Sequence, residues 1–209
     1  MVQAWLNSFL SSQQRTAPLP ALKQTALFRL LQSDITTSIQ QSPNSVFPLD
    51  ISNGQVQERR VAGPIPVQIL SIEDIAHSRW SQVEALEAEE RGEKTKGREI
   101  IRVVPGEEEE DNTSTHPAST GPHKLILQDA RGTSVYAVEL FNIHGIDMNT
   151  SIGVKLILKD VLVARGVLLL EPKNVTFLGG KIEELQKKWK DGRKEALKTA
   201  ARESSSSSG

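Results

Sequence analysis

Residues 154–180, VKLILKDVLVARGVLLLEPKNVTFLGG, are the most apolar stretch of a mostly polar chain. They constrain the fold more than any other segment. Val154, Leu156 and Leu158 alternate with Lys155, Ile157 and Lys159, a period near two that predicts a strand. Asp160 and Gly166 bracket a connection, and Val167 to Leu170 is a continuous apolar run, as expected of a strand covered on both faces. Pro172 has no N–H for a ladder and stops it. Gly179-Gly180 reads as an exit turn, and a charged helix is expected from Lys181. No titrating pair, metal cluster or phosphate loop lies in this stretch, so it reads as scaffold.

Three further strands are legible. Residues 66–75, PVQILSIEDI, form the first. Residues 124–128 and 133–141 form a hairpin through Asp129-Ala130-Arg131-Gly132. With 154–160 and 166–171 the count is five, which predicts a mainly β chain built on a five-stranded OB-fold barrel, a small partly open Greek-key barrel. Another small β-barrel with the same strand count is the alternative.

Ahead of the barrel, Trp5, Leu6, Phe9 and Leu10 share one helix face, and Leu22, Ala26, Leu27, Leu30 and Leu31 make a second stripe. Ser33 or Asp34 is placed to cap a short third helix through Ile35 and Ile39. Such helices are marginal alone and need a surface to dock on. The expected organisation is a helical segment over 1–45, a linker over 46–65, the barrel over 66–180, a C-terminal helix over 181–203 and a disordered tail over 204–209.

The anomaly is an insertion of about 48 residues, roughly 76–123, between the first two strands. A loop of that length inside a compact domain is usually functional or disordered. Ser78 to Arg91 is helix-like, with Trp80, Val83 and Leu86 at i, i+3, i+6. Arg98 to Val104 is apolar enough to pair as a strand or to bind something. Glu107 to Asp111 is a run of five acids that repel and stay solvated, so 105–122 is expected to be disordered. The residues leave two readings open. The insertion is a partner-engaging arm, or Ile100, Ile101, Val103 and Val104 pack back on the barrel.

Composition narrows the chemistry. The net charge is −1 over 209 residues, so no whole-chain attraction to nucleic acid is expected. There is no cysteine, which points to a reducing compartment. The N-terminus lacks a secretory pattern, and no window reaches the roughly 18 apolar residues of a membrane span, so a soluble, intracellular protein without a membrane partner is expected. His77, His116, His123 and His144 show no metal-ligand spacing. Glu73 and Asp74 are adjacent strand residues that point to opposite faces. No nucleophile, base and orienter set is visible. The expectation is a non-enzyme with no catalytic, metal or cofactor-binding residues.

Single-strand binding by an OB-fold needs a basic groove and outward aromatics, each stacked base contributing roughly 1–3 kcal/mol. Trp5, Phe9 and Phe28 are taken up by helix faces, and Tyr136, alternating with Val138 and Leu140, reads as facing the core. Phe141 alone is not a platform. From Lys181 to Glu203 eight Lys/Arg stand against five Asp/Glu, a difference of +3. Direct DNA binding is expected to be weak.

Gly166 to Leu185, GVLLLEPKNVTFLGGKIEEL, closely resembles the end of the OB domain in the RecQ-mediated genome instability protein 1 family. The family run is G-x-L-L-L-x-P-x-N-V-x-x-L-G-G-x-V-x-x-L. Here Gly166, Leu168 to Leu170, Pro172, Asn174, Val175, Leu178, Gly179, Gly180 and Leu185 are in register, and Ile182 replaces the usual valine. LLQSDI (30–35) is similar to the family's W-L-x-T-D-[LI] element, with Leu30 for Trp and Ser33 for Thr. PVQILSIEDIAHSRWSQVEAL (66–86) resembles its first strand and a following S-x-x-x-S-Q segment. No second OB domain follows, as in the short, single-OB form found in fungi.

The resemblance implies a nuclear, non-catalytic subunit of a RecQ helicase–topoisomerase III complex that dissolves double Holliday junctions and supports repair at replication forks. It implies topoisomerase III and a RecQ-family helicase as partners, with DNA met mainly through the complex. In the family, the loop after the first strand reaches into the topoisomerase gate. By position, the contacts would fall between Ser78 and Val104, with Trp80, Val83, Ile100, Ile101, Val103 and Val104 as candidate anchors. That choice follows from their apolar chemistry on an arm, since apolar anchors gain most from burial in a partner. An autonomous single-strand-binding OB protein is the alternative. A chromatin or RNA adaptor is a third and would require a reader module that this sequence does not display.

Overall fold

The computed structural model describes residues 19–91, 93–96, 99–102 and 121–206; for 93–96, 99–102 and 204–206 it describes backbone only. The expectations on Trp5, Phe9, Val103, Val104, most of 105–122 and residues 207–209 lie outside the described residues.

Among the described residues the first elements are α1 (Leu19–Gln32) and α2 (Ile35–Ser38). Then come β1 (Glu58–Val61) and β2 (Ile65–Asp74), followed by α3 (Arg79–Glu90) and a two-stranded hairpin, β3 (Glu93–Lys96) with β4 (Glu99–Arg102). After these lie β5 (His123–Asp129), β6 (Ser134–Glu139), β7 (Lys155–Leu158), β8 (Val161–Ala164), β9 (Val167–Leu170), β10 (Val175–Gly179) and α4 (Glu183–Ser206).

Eight strands form one sheet in the order β1-β8-β9-β6-β5-β2-β7-β10, with β6 and β9 parallel and the other pairs antiparallel. Only Lys159 and Asp160 separate β7 from β8, and Asp160 takes a φ of 49° that bends the strand there. Glu171 to Asn174 separate β9 from β10. Each pair is therefore one barrel strand broken in two. The circuit keeps the five expected barrel strands, with β1 added at the edge.

The details depart from expectation in several places. Val161 to Ala164, expected as a connection, is a strand, because Arg165-Gly166 makes the tight turn by itself. Gly166 has a φ of 81°, and a Cβ there would stand 2.6 Å from the Ser52 carbonyl oxygen. Val175 to Gly179, of which only Gly179 was expected in a turn with Gly180, pairs back on β7. The 46–65 linker carries β1, and its Phe47 and Ile51 lie in the main core. Val167 and Leu169 are only half-buried, whereas Leu168 and Leu170 are buried, so β9 is covered on one face rather than two. The final helix also runs through 204–206, where a disordered tail was expected.

The core is the inward row of each strand: Val67, Ile69 and Ile72 against Leu125 and Leu127, then Val135 and Ala137, Leu168 and Leu170, with Leu156 and Leu158 closing it. The N-terminal helices dock on the outside at one end of β2. Asp34 caps α2 through the Thr36 N–H. The buried Gln68 side chain accepts from the Ile35 N–H at 3.1 Å and donates to Asp34 and to Gln128. Lys155, also buried, donates to the carbonyls of Gly153 (2.7 Å) and Leu31 (3.3 Å). Gly180 lets the Leu31 backbone approach, since a Cβ there would meet its carbonyl oxygen at 2.4 Å. Buried Asp129 accepts from the Arg131 and Thr133 N–H groups inside the hairpin turn and from the Phe47 N–H at 2.7 Å, which fixes the 46–47 segment.

Candidate partner-docking surface

The outward residues of the sheet fall into two cross-strand rows fixed by the pairing register. One runs Ser71, Ile126, Tyr136, Val167, Ala164, Glu58; the other runs Glu73, Lys124, Val138, Leu169, Leu162, Arg60. Each row is apolar in the middle and polar at its ends. Tyr136 is 54% exposed, which corrects the expectation that it faces the core. The phase of β6 is the opposite one: Val135, Ala137 and Glu139 are buried, because they face Leu125, Leu127 and the inside of the barrel. Beyond β6, Leu140 and Phe141 are exposed, Phe141 by 65%.

The charges at the ends of the second row are already paired, while the first row ends on exposed Glu58. Glu73 is bound by Arg79 (3.0 Å) and Lys124, and Arg60 reaches Asp160 at 3.1 Å. Burial works to raise the Glu73 carboxyl, but the contacts from Lys124 and Arg79 outweigh it and hold the group below the usual carboxylate range. Lys124 also lies 5.8 Å from the Tyr136 ring centroid. The face is thus an apolar strip with one aromatic, paired charges at the ends of one row and an acid at the end of the other. Its chemistry favours protein side chains over phosphates.

The insertion leaves and re-enters the barrel beside this face. Asp74, the last residue of β2, pairs with His123, the first of β5, and the Ile75 N–H donates to the Pro122 carbonyl. Both roots are pinned. The Asp74 carboxylate accepts from the Ala76 N–H and contacts His77 Nδ1 at 2.7 Å, while Gln82 Nε2 donates to the Asp74 and His77 carbonyls. At the other root, Glu139 accepts from the His123 and Ile143 N–H groups and contacts His123 Nδ1. His123 is 0% exposed. This buried acid–imidazole pair was not legible, because its two residues lie 16 apart and one occupies a core position of a strand.

From its first root the insertion rises into α3, capped by Ser78. α3 packs on α4, where Lys194 bonds Glu90 at 2.5 Å and Lys198 bonds Glu87 at 2.8 Å. Val83 is 2% exposed, so it packs inside the fold and is not available as a partner anchor. Trp80, on the same helix, is 47% exposed. Ile100 and Ile101 lie on β4, in register with Thr95 and Lys94. Trp80 and the hairpin are thus on one insertion, but nothing described brings their side chains together. Among the described residues, no group of three or more His, Asp and Glu is placed to hold a metal ion, and no helix is long and apolar enough to cross a membrane.

Comparison with known proteins gives a consistent result. A family model described as "RMI1, N-terminal OB-fold domain" matches residues 23–193, and one described as "RMI1, N-terminal helical domain" matches residues 1–38. The chain is 32% identical to RecQ-mediated genome instability protein 1 of Schizosaccharomyces pombe over 198 residues, 88% of this chain and 83% of that protein. It is 27% identical to the Xenopus laevis protein of the same name over 184 residues, 87% of this chain but 31% of the relative. For the Mus musculus protein the identity is 25% over 185 residues, again 87% of this chain and 28% of the relative.

Proposed function

The chain belongs to the RMI1 family, which ties it to RecQ-mediated genome stability, and from that premise we propose that it is a non-catalytic, nuclear OB-fold subunit that binds and regulates topoisomerase III beside a RecQ-family helicase. In this reading it promotes dissolution of double Holliday junctions and the repair that depends on it. One observation carries the proposal: an outward, half-buried apolar strip over β5, β6, β9 and β8, centred on exposed Tyr136, lies next to an insertion whose two roots are locked to the barrel. The strip supplies area for docking. The locked roots fix where the insertion, which carries Trp80 and the β3–β4 hairpin, leaves the barrel at the β2–β5 end of the strip. Topoisomerase III as the partner is this reading's own step beyond family membership, which itself speaks of RecQ-mediated genome stability.

Exposure of Tyr136 with Lys124 near its ring favours a second reading, an autonomous single-strand-binding protein. One aromatic and a lysine already bound to Glu73 make a poor stacking platform.

The test uses purified topoisomerase III with the intact chain and with a variant in which residues 92–120 are replaced by a short Gly/Ser linker. That variant keeps α3, which packs against α4. The proposal expects both proteins to co-purify with topoisomerase III and only the intact chain to change relaxation and decatenation. Identical effects of the two on those reactions would refute the regulatory role of the insertion. Failure of both to bind would refute the partner.

A further inference from the structure

A groove of about 540 Å³ opens between the outer side of β2 and α4. Leu70 and Ser71 form one wall, and Leu185, Trp189, Ala196 and Ala200 form the other. Gly192 lies mid-helix on the same wall, and a Cβ added there would meet nothing within 4 Å. Among the described residues no side chain fills the groove at that point. Apolar walls gain by being covered.

The charges select what covers them. Glu73, the acid on the β2 side, is neutralised by Arg79 and Lys124. Arg193 stacks 5.1 Å from the Trp189 ring centroid and faces Glu89 and Asp74. Lys188 lines the groove with no ion-pair partner among the described residues, and its helix neighbours Lys187 and Lys190 are exposed. The floor is apolar, and Lys188 is the lining cation left without an ion-pair partner among the described residues, with Glu184 and Asp191 one turn to either side of it on α4.

We propose that this groove docks a short peptide segment of a partner protein in which a bulky apolar side chain is flanked by Asp or Glu. The apolar side chain enters between β2 and α4, where Gly192, Ala196 and Ala200 leave room for the peptide backbone. The acidic flanks meet Lys188 and its neighbours. The groove shares Ser71 and Glu73 with the β2 end of the outer rows, but its other wall is α4, which is no part of them, so the site stands whether or not topoisomerase III is the partner on β6 and β9.

A random 16-residue peptide display library, selected on the full chain, supplies the probes; the winners are synthesised and titrated by fluorescence anisotropy. Expected are peptides that combine Leu, Phe or Trp with Asp or Glu within one helical turn, and whose binding weakens with salt. Gly192→Leu fills the groove and removes a helix-interior glycine, so it blocks the site without unfolding the chain. It should weaken binding by about tenfold or more, and Lys188→Glu by about threefold to tenfold. The proposal is overturned if selection returns no peptide, or only peptides without acidic residues, or if Gly192→Leu binds them unchanged. It is overturned as well if sedimentation shows a dimer of the chain that Gly192→Leu dissolves, which would assign the groove to a second copy.

Discussion

Lys155 offers a quantitative test of how the N-terminal helices are held on the barrel. Its ammonium is buried, donates to the Gly153 and Leu31 carbonyls, and has Asp34 as its nearby counter-charge. Burial pushes it down from 10.5 to about 8, and the attraction of Asp34 recovers only part of that. The folded-state pKa is thus below the unfolded one. Between the two values the unfolded chain holds more protons, so stability rises as pH rises from about 8 towards 10.5. With one unit equal to about 1.4 kcal/mol, the shift amounts to roughly 3 kcal/mol of penalty at neutral pH, and roughly 2 kcal/mol of it is relieved between about pH 7.5 and 9.5. Urea unfolding at those two pH values, for the native chain and for Lys155→Met, isolates this group because other titrations cancel in the difference. The native chain should gain on the order of 2 kcal/mol more than the variant over that interval. An equal pH dependence of the two proteins would refute the buried, charged lysine as the tie between α1 and the barrel.

Three other outcomes follow from the same geometry. Glu139→Ala should cost about 3–5 kcal/mol in denaturant unfolding, because it strands two N–H groups and a buried imidazole, while Glu139→Gln, which keeps an acceptor, should cost less. Gly166→Ala should cost more than about 1 kcal/mol in the same assay, since its φ of 81° and the Ser52 carbonyl 2.6 Å from a Cβ both oppose a side chain. Phe47→Ala should cost about 3–5 kcal/mol, which thermal unfolding would detect as a clear fall in Tm; a near-neutral result would return 46–65 to the status of a linker.

The sequence carried the barrel well where one rule decided the outcome. Alternation in 66–75 and the Asp129–Gly132 turn gave β2 and the β5–β6 hairpin, because period and turn chemistry agreed. The helical spacing of Trp80, Val83 and Leu86 gave α3. It failed where both faces of a strand are apolar. In β6 the phase of Tyr136, Val138 and Leu140 looks more like a core than that of Val135, Ala137 and Glu139. Only tertiary facts, the register with β5 and the partners of Glu139, reverse the choice. The same ambiguity concealed the outer strip, because an apolar outward face reads as core in sequence. β1 was hidden differently: Glu58-Arg59-Arg60-Val61 has no strand signature and pairs because β8 presents an open edge. Val83 misled as a binding candidate because its helix stripe packs against α4, over a hundred residues away in sequence.

That strip also offers the sharpest check on topoisomerase binding. Isothermal titration of topoisomerase III with the native chain and with the double variant Tyr136→Arg, Leu169→Arg measures the outer face alone, since both side chains point away from the core. The expected result is an unchanged fold and a Kd weakened by about tenfold or more, as when central apolar contacts are replaced by charge. Equal affinity of the two proteins, or tight salt-sensitive binding of oligo-dT by the isolated native chain in place of topoisomerase binding, would contradict it.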